Sequence, residues 1–393
     1  MAAQRQASSA SQTPHLSPAE LSYLYTSLSL PGTPIRPDGR SPTQFRPLTA
    51  ETDILPGTNG SARVGFADGT QAIVGVKAEV EKTSLGVQAL SQAQQQEYAK
   101  GGDGGAGDGG VGQQGSSSGQ GSWVQMAIEI PGFRDDDALP VFLSEMMREP
   151  LVESVSGGGM GDDEMVGGLK GRLVINRRWH WRLYIDVLLL SQPLSYPLPL
   201  LSLTTHLALL ATKLPKLKSK GEEDPFFDDD WNAAEYLYPR VKPTKTVIPS
   251  SISVHRVRPP VTLLVVSIAE NVIFDPSREE IAVADAVLAI SITHDTDSGR
   301  LKLLSIRTID PPSRLTQPGL ANSENVATLS FTTTAEEATI VNPSTGEEEV
   351  SGVWKPRRGG VKRATIAKMV KMVLDKGGVG DEVLEGLEGV EVG

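Results

Sequence analysis

Arginine and tryptophan residues are interleaved in one short stretch of the chain. Residues 172–182 contain four arginines and two tryptophans: Arg172, Arg177, Arg178, Arg182, Trp179 and Trp181. A guanidinium group can hold a phosphate and an aromatic ring can stack on a base, so this composition is suited to contact with RNA. It is equally suited to charged strand ends above a buried tryptophan, or to a subunit interface, where arginine and tryptophan are enriched. The sequence leaves these alternatives open.

Any contact with RNA is expected to be local, because the chain as a whole is acidic. It has 393 residues, with 37 Lys and Arg against 48 Asp and Glu, and a formal net charge of -11. A protein that binds nucleic acid on its own normally carries a basic surplus. We therefore expect partner proteins to contribute part of any RNA-binding surface. We take Arg63, Arg177 and Arg178 as candidates for RNA contact. For Arg36, Arg40 and Arg63 the same alternatives stay open: contact with RNA, a structural charge or a subunit interface.

No pattern in the chain predicts a metal or a cofactor. The acidic residues between Glu222 and Asp230 are adjacent rather than spaced as a ligand loop, which favours a solvated turn. The five histidines fall in unrelated contexts, and the absence of cysteine excludes disulfides, cysteine-ligated zinc and thiol nucleophiles. The glycine-rich residues 101–122 lack a phosphate-binding GxxxxGK[ST] motif, so we interpret them as a flexible insertion.

Two further segments bear on targeting and membranes. The first 16 residues are polar and lack the apolar core of a signal peptide. Val187–Thr212 contains no Asp, Glu, Lys or Arg, but three prolines fall within seven residues, at Pro193, Pro197 and Pro199. Prolines remove backbone hydrogen bonds that a helix in lipid needs. A buried strand, a loop and a buried helix are therefore predicted in place of a membrane span.

A hairpin is the clearest element in the first half. Alternating apolar residues at 62–66 and 72–80 are joined by Asp68-Gly69, a pair that favours a tight turn because glycine accepts a positive φ. Pro37-Asp38-Gly39 predicts an earlier turn. The remaining patterns predict helices at 16–30, 138–152 and 200–214, and strands at 123–130, 172–176 and 181–190.

The second half is also predicted to consist of strands followed by a helix. Strands are predicted at 261–268, 272–274, 281–293 and 301–308, and a closing helix at 361–376. A polar stretch at 311–352 is interpreted as partly an insertion, and the residues after Gly377 as an acidic, glycine-rich tail.

Several of these segments resemble the RNase PH family. The resemblance runs through IRPDGRS at 35–41, FRPL at 45–48, GSARV at 60–64 and DGTQAIVGV at 68–76, and DPSREEIAVADAVLAISIT at 275–293 is similar to the second half of the family. It implies an α+β RNase PH fold (ribosomal protein S5 domain 2-like), with an internally duplicated β-sheet plus helices. The chain then divides into a tail and short helix at 1–34, a first half at 35–215, a connection at 216–260, a second half at 261–376 and an acidic tail at 377–393. The first half contains a disordered insertion at 85–122, and the second half contains an insertion at about 311–352.

The resemblance also defines where an active site would lie. Active members carry an acidic pair on a central strand, in a pattern close to D-V-x-x-x-D-G-G, and hold phosphate with arginines on the preceding helix. In this chain Asp186 stands at the first acidic position, Ser191 at the second, and Gln192-Pro193 replaces the two glycines. Serine is neutral and a poor Mg²⁺ ligand. Arg148 falls near an arginine position, but the acidic residues around it would repel phosphate.

The resemblance therefore implies a degenerate site and no catalytic residues. Asp186 is interpreted as a structural carboxylate paired with an arginine or a backbone N–H, and Arg148 joins the candidates for RNA contact. The implied function is that of a non-catalytic subunit of the eukaryotic RNA exosome; the alternative is an active phosphate-dependent 3′-to-5′ exoribonuclease.

The implied partners are other RNase PH-like subunits in a six-membered ring, RNA-binding cap subunits, RNA in the central channel and catalytic nuclease subunits. The implied processes are ribosomal RNA processing, RNA degradation and messenger RNA turnover, in the nucleus, nucleolus and cytoplasm.

Overall fold

The computed structural model describes residues 16–83, 120–152, 169–219, 221, 223–238, 258–294, 300–309, 339–341, 348–350, 354 and 360–390. Residues 1–15 of the tail predicted at 1–16, most of the glycine-rich insertion and most of the 311–352 stretch lie outside these residues. Within 311–352, only a short antiparallel pair of strands is described, Thr339–Val341 with Glu348–Val350. The predicted domain boundaries stay predictions.

The first half contains a five-stranded sheet in the order β1-β2-β3-β5-β4. Its strands are β1 (Leu48–Thr52), β2 (Gly60–Phe66), β3 (Gln71–Lys82), β4 (Val124–Glu129) and β5 (Trp179–Leu189). All neighbours are antiparallel except β4 and β5. The predicted hairpin is confirmed: β2 and β3 are joined at Asp68-Gly69, and Gly69 has a φ of 89°.

A short antiparallel pair, β6 (Lys213–Leu214) and β7 (Glu235–Tyr236), follows the first sheet in the chain. The second half contains a four-stranded sheet in the order β11-β10-β8-β9. Its strands are β8 (Val261–Ile268), β9 (Asn271–Phe274), β10 (Ala286–His294) and β11 (Leu301–Ile309). Every residue of β8 is buried, which agrees with its continuous apolar sequence.

The helices are α1 (Pro18–Leu28), α2 (Ala138–Val152), α3 (Leu169–Arg172), α4 (Leu198–Ala211), α5 (Arg278–Ala282), α6 (Arg363–Leu374) and α7 (Val379–Glu388). With helices beside both sheets, the predicted α+β class is confirmed. The central helix is α4, which packs against β2 and β3 of the first sheet and against β8 of the second. All 14 of its residues are buried, because both sides of the helix meet a sheet. The same burial explains its uncharged sequence, and no described helix is long and apolar enough to cross a membrane.

Three local predictions need correction, and one strand was missed. The strand predicted at 172–176 is absent: α3 ends at Arg172 and only Val174 forms a bridge, with His180. The strand predicted at 281–293 is shorter, because residues 278–282 form α5 under a capping box between Ser277 and Glu280. Strand β1 was not predicted. The acidic tail after Gly377 contains α7, whose Leu384 and Leu387 are buried.

Candidate functional site

Asp186 lies at the centre of the first sheet, on its outer face. Its neighbours across the sheet are Gly75 on β3 and Ala127 on β4. Because side chains alternate along a strand, Ile185 and Val187 point into the core while the Asp186 carboxylate is exposed. Among the described residues it has no hydrogen bond or ion pair. The interpretation of Asp186 as a paired structural carboxylate is therefore wrong for the described part of the chain.

Ser191 follows β5 and takes no part in a polar cluster. The Leu190 N–H still donates to the Gln71 carbonyl oxygen at 2.8 Å, so the sheet pairing extends one residue beyond the strand. The Ser191 Oγ is buried and has no hydrogen-bond partner among the described residues. The two positions that the resemblance identified as an acidic pair thus hold one exposed carboxylate and one isolated hydroxyl.

The guanidinium donors of Arg148 are used in hydrogen bonds to Glu145, on the same helix, and to Gly121, which precedes β4. Its guanidinium donates from Nε and Nη2 to the two carboxylate oxygens of Glu145, at 3.0 and 2.7 Å, and from Nη1 to the Gly121 carbonyl oxygen at 2.9 Å. The hydrogen bond to Glu145 raises the pKa of Arg148 and lowers the pKa of Glu145. On the next turn, Glu149 pairs with Arg307 of β11. These ion pairs leave Arg148 few donors for a phosphate.

The arginines of residues 172–182 are dispersed rather than gathered. Arg178 forms an ion pair with Asp224 at 2.6 Å, and Trp179 donates to the same carboxylate at 3.1 Å. The Arg182 guanidinium binds Glu81 at 3.0 Å. Hydrogen bonding from Trp179 and from Arg178 lowers the pKa of Asp224.

Of the remaining arginines and tryptophans in residues 172–182, Arg172 and Trp181 contact neighbouring parts of the fold. Arg172 donates to the Leu237 carbonyl oxygen and lies 4.9 Å from the Tyr238 ring centroid. Trp181 is buried against Phe227, with ring centroids 5.0 Å apart. Arg177 is exposed in the bend before β5.

No single surface collects the predicted RNA-contact residues. Arg63 lies on β2 and donates to the Gln71 side chain at 2.6 Å. Arg178 precedes Asp186 by eight residues along an extended strand, a separation of about 26 Å. Arg148 lies on α2, beyond β4. The contact assignments of Arg63, Arg148, Arg177 and Arg178 stay predictions, and the structure does not bring these residues together.

Comparison with known proteins identifies relatives along most of the chain. It is 29% identical over 323 residues to the exosome complex component RRP42 of Saccharomyces cerevisiae, covering 79% of this chain and 96% of that protein. It is 28% identical over 283 residues to exosome complex component rrp42 of Schizosaccharomyces pombe, covering 70% of this chain and 78% of that protein. The predicted relationship to exosome components is confirmed. No family model matches the chain.

Solved structures similar to this chain also come from exosome proteins. One is an Archaeoglobus fulgidus exosome with RNA bound to the active site, with a TM-score of 0.45 and 19% identity, covering 74% of this chain and 87% of that chain. Another is an archaeal exosome core, with a TM-score of 0.42 and 18% identity, covering 74% and 84% of the two chains.

Three of the segments that resemble the RNase PH family, at 35–41, 45–48 and 275–293, together form a buried network of ion pairs. Arg36, in the turn predicted at Pro37-Asp38-Gly39, is 3% exposed and binds Glu280 through both Nε and Nη2, at 2.7 and 2.8 Å. Its Nη1 and Nη2 also donate to the carbonyl oxygens of Phe274 and Asp275, at 3.2 and 3.0 Å. Arg36 is therefore a structural residue that joins the two halves, and its guanidinium is not available to RNA.

Asp275 is the second centre of this network. Its buried carboxylate accepts from Arg40 at 2.7 Å and from the Arg46 guanidinium at 2.7 Å. Burial alone would lower the pKa of Arg46, but its hydrogen bonds and charge interaction with Asp275 outweigh burial and raise it. No sequence pattern predicted this role for Asp275 or Glu280. The one signal was the Ser277-x-x-Glu280 spacing of a capping box.

Proposed function

We propose that this chain is a structural subunit of an exosome core that supports 3′-to-5′ RNA processing without cleaving RNA itself. Its relationship to the RRP42 components supports membership in such a complex. The observation that carries the non-catalytic role is the end of β5, where Asp186 is the sole carboxylate of the expected pair and Ser191 contributes only a neutral hydroxyl.

The chemistry of phosphorolysis explains why a serine at this position matters. A phosphate nucleophile and a phosphodiester are both anionic, so a metal ion held by carboxylates must offset the charge of the transition state. Asp186 alone offers one ligand from an exposed strand position. Within the described residues, no group of three or more His, Asp or Glu side chains is placed to hold a metal ion. Ser191 cannot supply the missing charge.

The surroundings of Arg148 support the same conclusion. Arginines that hold a phosphate nucleophile need free donors that face the scissile bond. Arg148 directs its donors to Glu145 and to the Gly121 carbonyl oxygen. The adjacent α2 surface carries Glu145 and Glu149, whose charges disfavour an anion.

Exposed leucines beside the Asp186 strand support assembly with other subunits. Leu188, Leu190 and Leu194 are 41%, 43% and 56% exposed. Large exposed apolar side chains grouped along one strand and its continuation are typical of a surface that a partner covers. We propose that the partners are other RNase PH-like subunits in a six-membered ring, with cap subunits, nuclease subunits and RNA in the channel. We further propose that the complex acts in the nucleus, nucleolus and cytoplasm.

Two assays test this function. The isolated chain, given inorganic phosphate, Mg²⁺ and single-stranded RNA, is expected to release no nucleoside diphosphate. In the complex reconstituted with its partner subunits, Asp186→Ala is expected to leave the rate of RNA decay unchanged within about twofold. Phosphate-dependent release by the isolated chain, abolished by Asp186→Ala, would establish the alternative of an active exoribonuclease. A stable monomer that does not co-purify with exosome subunits from native extract would contradict the structural role.

A further inference from the structure

A second group of basic residues lies on and beside α6, far in sequence from the candidate arginines between 63 and 182. We call it the basic stripe, and it consists of Lys362, Arg363, Lys368, Lys371 and Lys376. All five are exposed, and Asp375 is the one acidic residue between 362 and 376. The net charge of residues 362–376 is therefore positive, whereas the formal net charge of the whole chain is -11.

Helical geometry places the three members of the stripe that belong to α6 on one side of the helix. With 3.6 residues per turn, Arg363, Lys371 and Lys368 fall within an arc of about 140°. The opposite side carries the apolar residues that pack on the core, of which Met369 and Val373 are buried. The same arc also contains Ala364 and Ala367, which are exposed, and Leu374, which is half-buried. The exposed side chains between the cations are therefore small.

The cations of the stripe are not neutralised within the described residues. Lys362, Arg363, Lys371 and Lys376 form no ion pair there, and the Lys368 ammonium contacts the carbonyl oxygen of Glu270 rather than a carboxylate. Arg148 and Arg178, two of the candidates for RNA contact, are each paired with a carboxylate. Available positive charge is thus found on α6 and not at those two predicted positions.

The neighbouring helix α7 is acidic but does not neutralise the stripe. Glu388 pairs with Arg258, and Asp381 accepts from the Gly377 N–H at 2.7 Å. Glu382 and Glu385 lie on the surface, whereas Leu384 and Leu387 are buried. In the described part of the chain, no carboxylate of α7 pairs with a cation of α6.

We propose that the basic stripe of α6 binds the sugar-phosphate backbone of single-stranded RNA. From Arg363 to Lys371 the helical part of the stripe extends about 12 Å, and Lys362 and Lys376 lie beyond its two ends, so the stripe can meet several successive phosphates. Lysine and arginine side chains that neutralise phosphates supply affinity without reading sequence. This inference rests on the proposed function, because it assigns the part of an exosome subunit that guides RNA.

An acidic protein segment is the competing ligand, and the composition of the stripe disfavours it. Protein interfaces that bind tightly bury a central apolar or aromatic anchor. The exposed apolar residues beside the cations on α6 are two alanines, Ala364 and Ala367, and no exposed aromatic or large apolar side chain lies among them. A phosphate chain, in contrast, needs only accessible charges at intervals.

The test uses the full chain and a fluorescein-labelled oligouridylate of about 20 nucleotides, with binding measured by fluorescence anisotropy between about 50 and 200 mM salt. The variant Lys368→Gln/Lys371→Gln removes two charges from the stripe. Lys216→Gln/Lys218→Gln, at exposed positions elsewhere, removes the same number of charges and serves as the matched control. Thermal melting of both variants checks that they fold.

The stripe variant is expected to bind RNA about tenfold more weakly than the wild type at low salt, and the control within about twofold. The slope of log K against log salt should fall by about 1.4 for the stripe variant, because each single-strand phosphate contact contributes about 0.7. Equal losses in both variants, or no measurable binding at the lowest salt, would overturn the inference. So would oligoglutamate displacing the RNA at equal charge concentration. None of these outcomes affects co-purification with exosome subunits, so failure here is distinguishable from failure of the proposed function.

Discussion

Arg36 and Glu280 are 244 residues apart in sequence and form a two-bond ion pair whose side chains are both 0% exposed. Arg36 comes from the turn that precedes the first sheet, and Glu280 from α5 of the second half. Burying two charges has a large desolvation cost, which the bidentate geometry and the additional carbonyl acceptors of Arg36 offset. The pair thus links the segment before the first sheet to the second half.

Breaking this pair is expected to destabilise the protein strongly. Glu280→Gln leaves the buried Arg36 guanidinium with only the partly exposed Asp38 carboxylate, at 3.7 Å, as a charged partner, which costs about 3–5 kcal/mol in the free energy of unfolding. Urea denaturation followed by circular dichroism measures the loss. The exposed pair Lys77–Glu79 provides the control, since Glu79→Gln should cost no more than about 0.5 kcal/mol. Equal effects of the two substitutions would contradict the structural role of the buried pair.

Close packing at Gly60 gives a second prediction. A Cβ at this position would lie 2.5 Å from the Thr212 Cα and 2.6 Å from its backbone nitrogen. Gly60→Ala therefore forces β2 away from the end of α4 and should cost about 1–3 kcal/mol.

Gly386 is the matched control for Gly60. It lies in α7, and a methyl group added there would contact nothing within 4 Å outside its own helix backbone and chain neighbours, so Gly386→Ala should stabilise the chain by about 0.5–1 kcal/mol through helix propensity. The free energy of unfolding of both variants checks the pair. A neutral Gly60→Ala would show that the contact with Thr212 relaxes easily.

The sequence predicted an element correctly where the interactions that form it are between residues close together in the chain. The hairpin at Asp68-Gly69 and the helix at 138–152 follow from turn chemistry and apolar spacing, and the structure has both. It was insufficient where the cause is a distant partner. The ion pairs of Arg36 and Arg178 join residues that only the fold brings together. Helix α7 was missed because its glycine-rich, acidic sequence suggests a tail, whereas Leu384 and Leu387 become buried.

Restoring a carboxylate at Ser191 should not restore catalysis. The Ser191 Oγ is buried and has no described hydrogen-bond partner, so a carboxylate in its place would lose hydration without gaining a donor. Ser191→Asp is expected to cost about 1–3 kcal/mol in the free energy of unfolding. Gln192→Asp, at the exposed neighbouring position, should change it by less than about 0.5 kcal/mol. Phosphate-dependent RNA cleavage by Ser191→Asp would show that one substitution alone separates this chain from an active enzyme.

His206 makes the stability of the chain depend on pH. It lies in α4 between the two sheets, 1% exposed, and burial lowers its pKa from 6.5 to about 3. The unfolded chain takes up a proton below about pH 6.5, whereas the folded chain keeps the imidazole neutral down to about pH 3. Acid therefore favours the unfolded state, and His206 should lower the free energy of unfolding by up to about 1.4 kcal/mol per pH unit across this window.

The measurement that isolates His206 is a comparison of urea denaturation curves at about pH 7.5, 6.0 and 5.0 for the wild type and for His206→Leu. Leucine has no proton to gain, and the hydrogen bonding of the imidazole to the backbone of Pro259 and Pro260 that it removes is lost at every pH, so the comparison across pH isolates the titration. The decline in stability between about pH 6.0 and 5.0 should be about 1 kcal/mol smaller in His206→Leu than in the wild type. If both proteins lose stability at the same rate on acidification, His206 is not neutral in the folded chain, and water must reach the centre of α4.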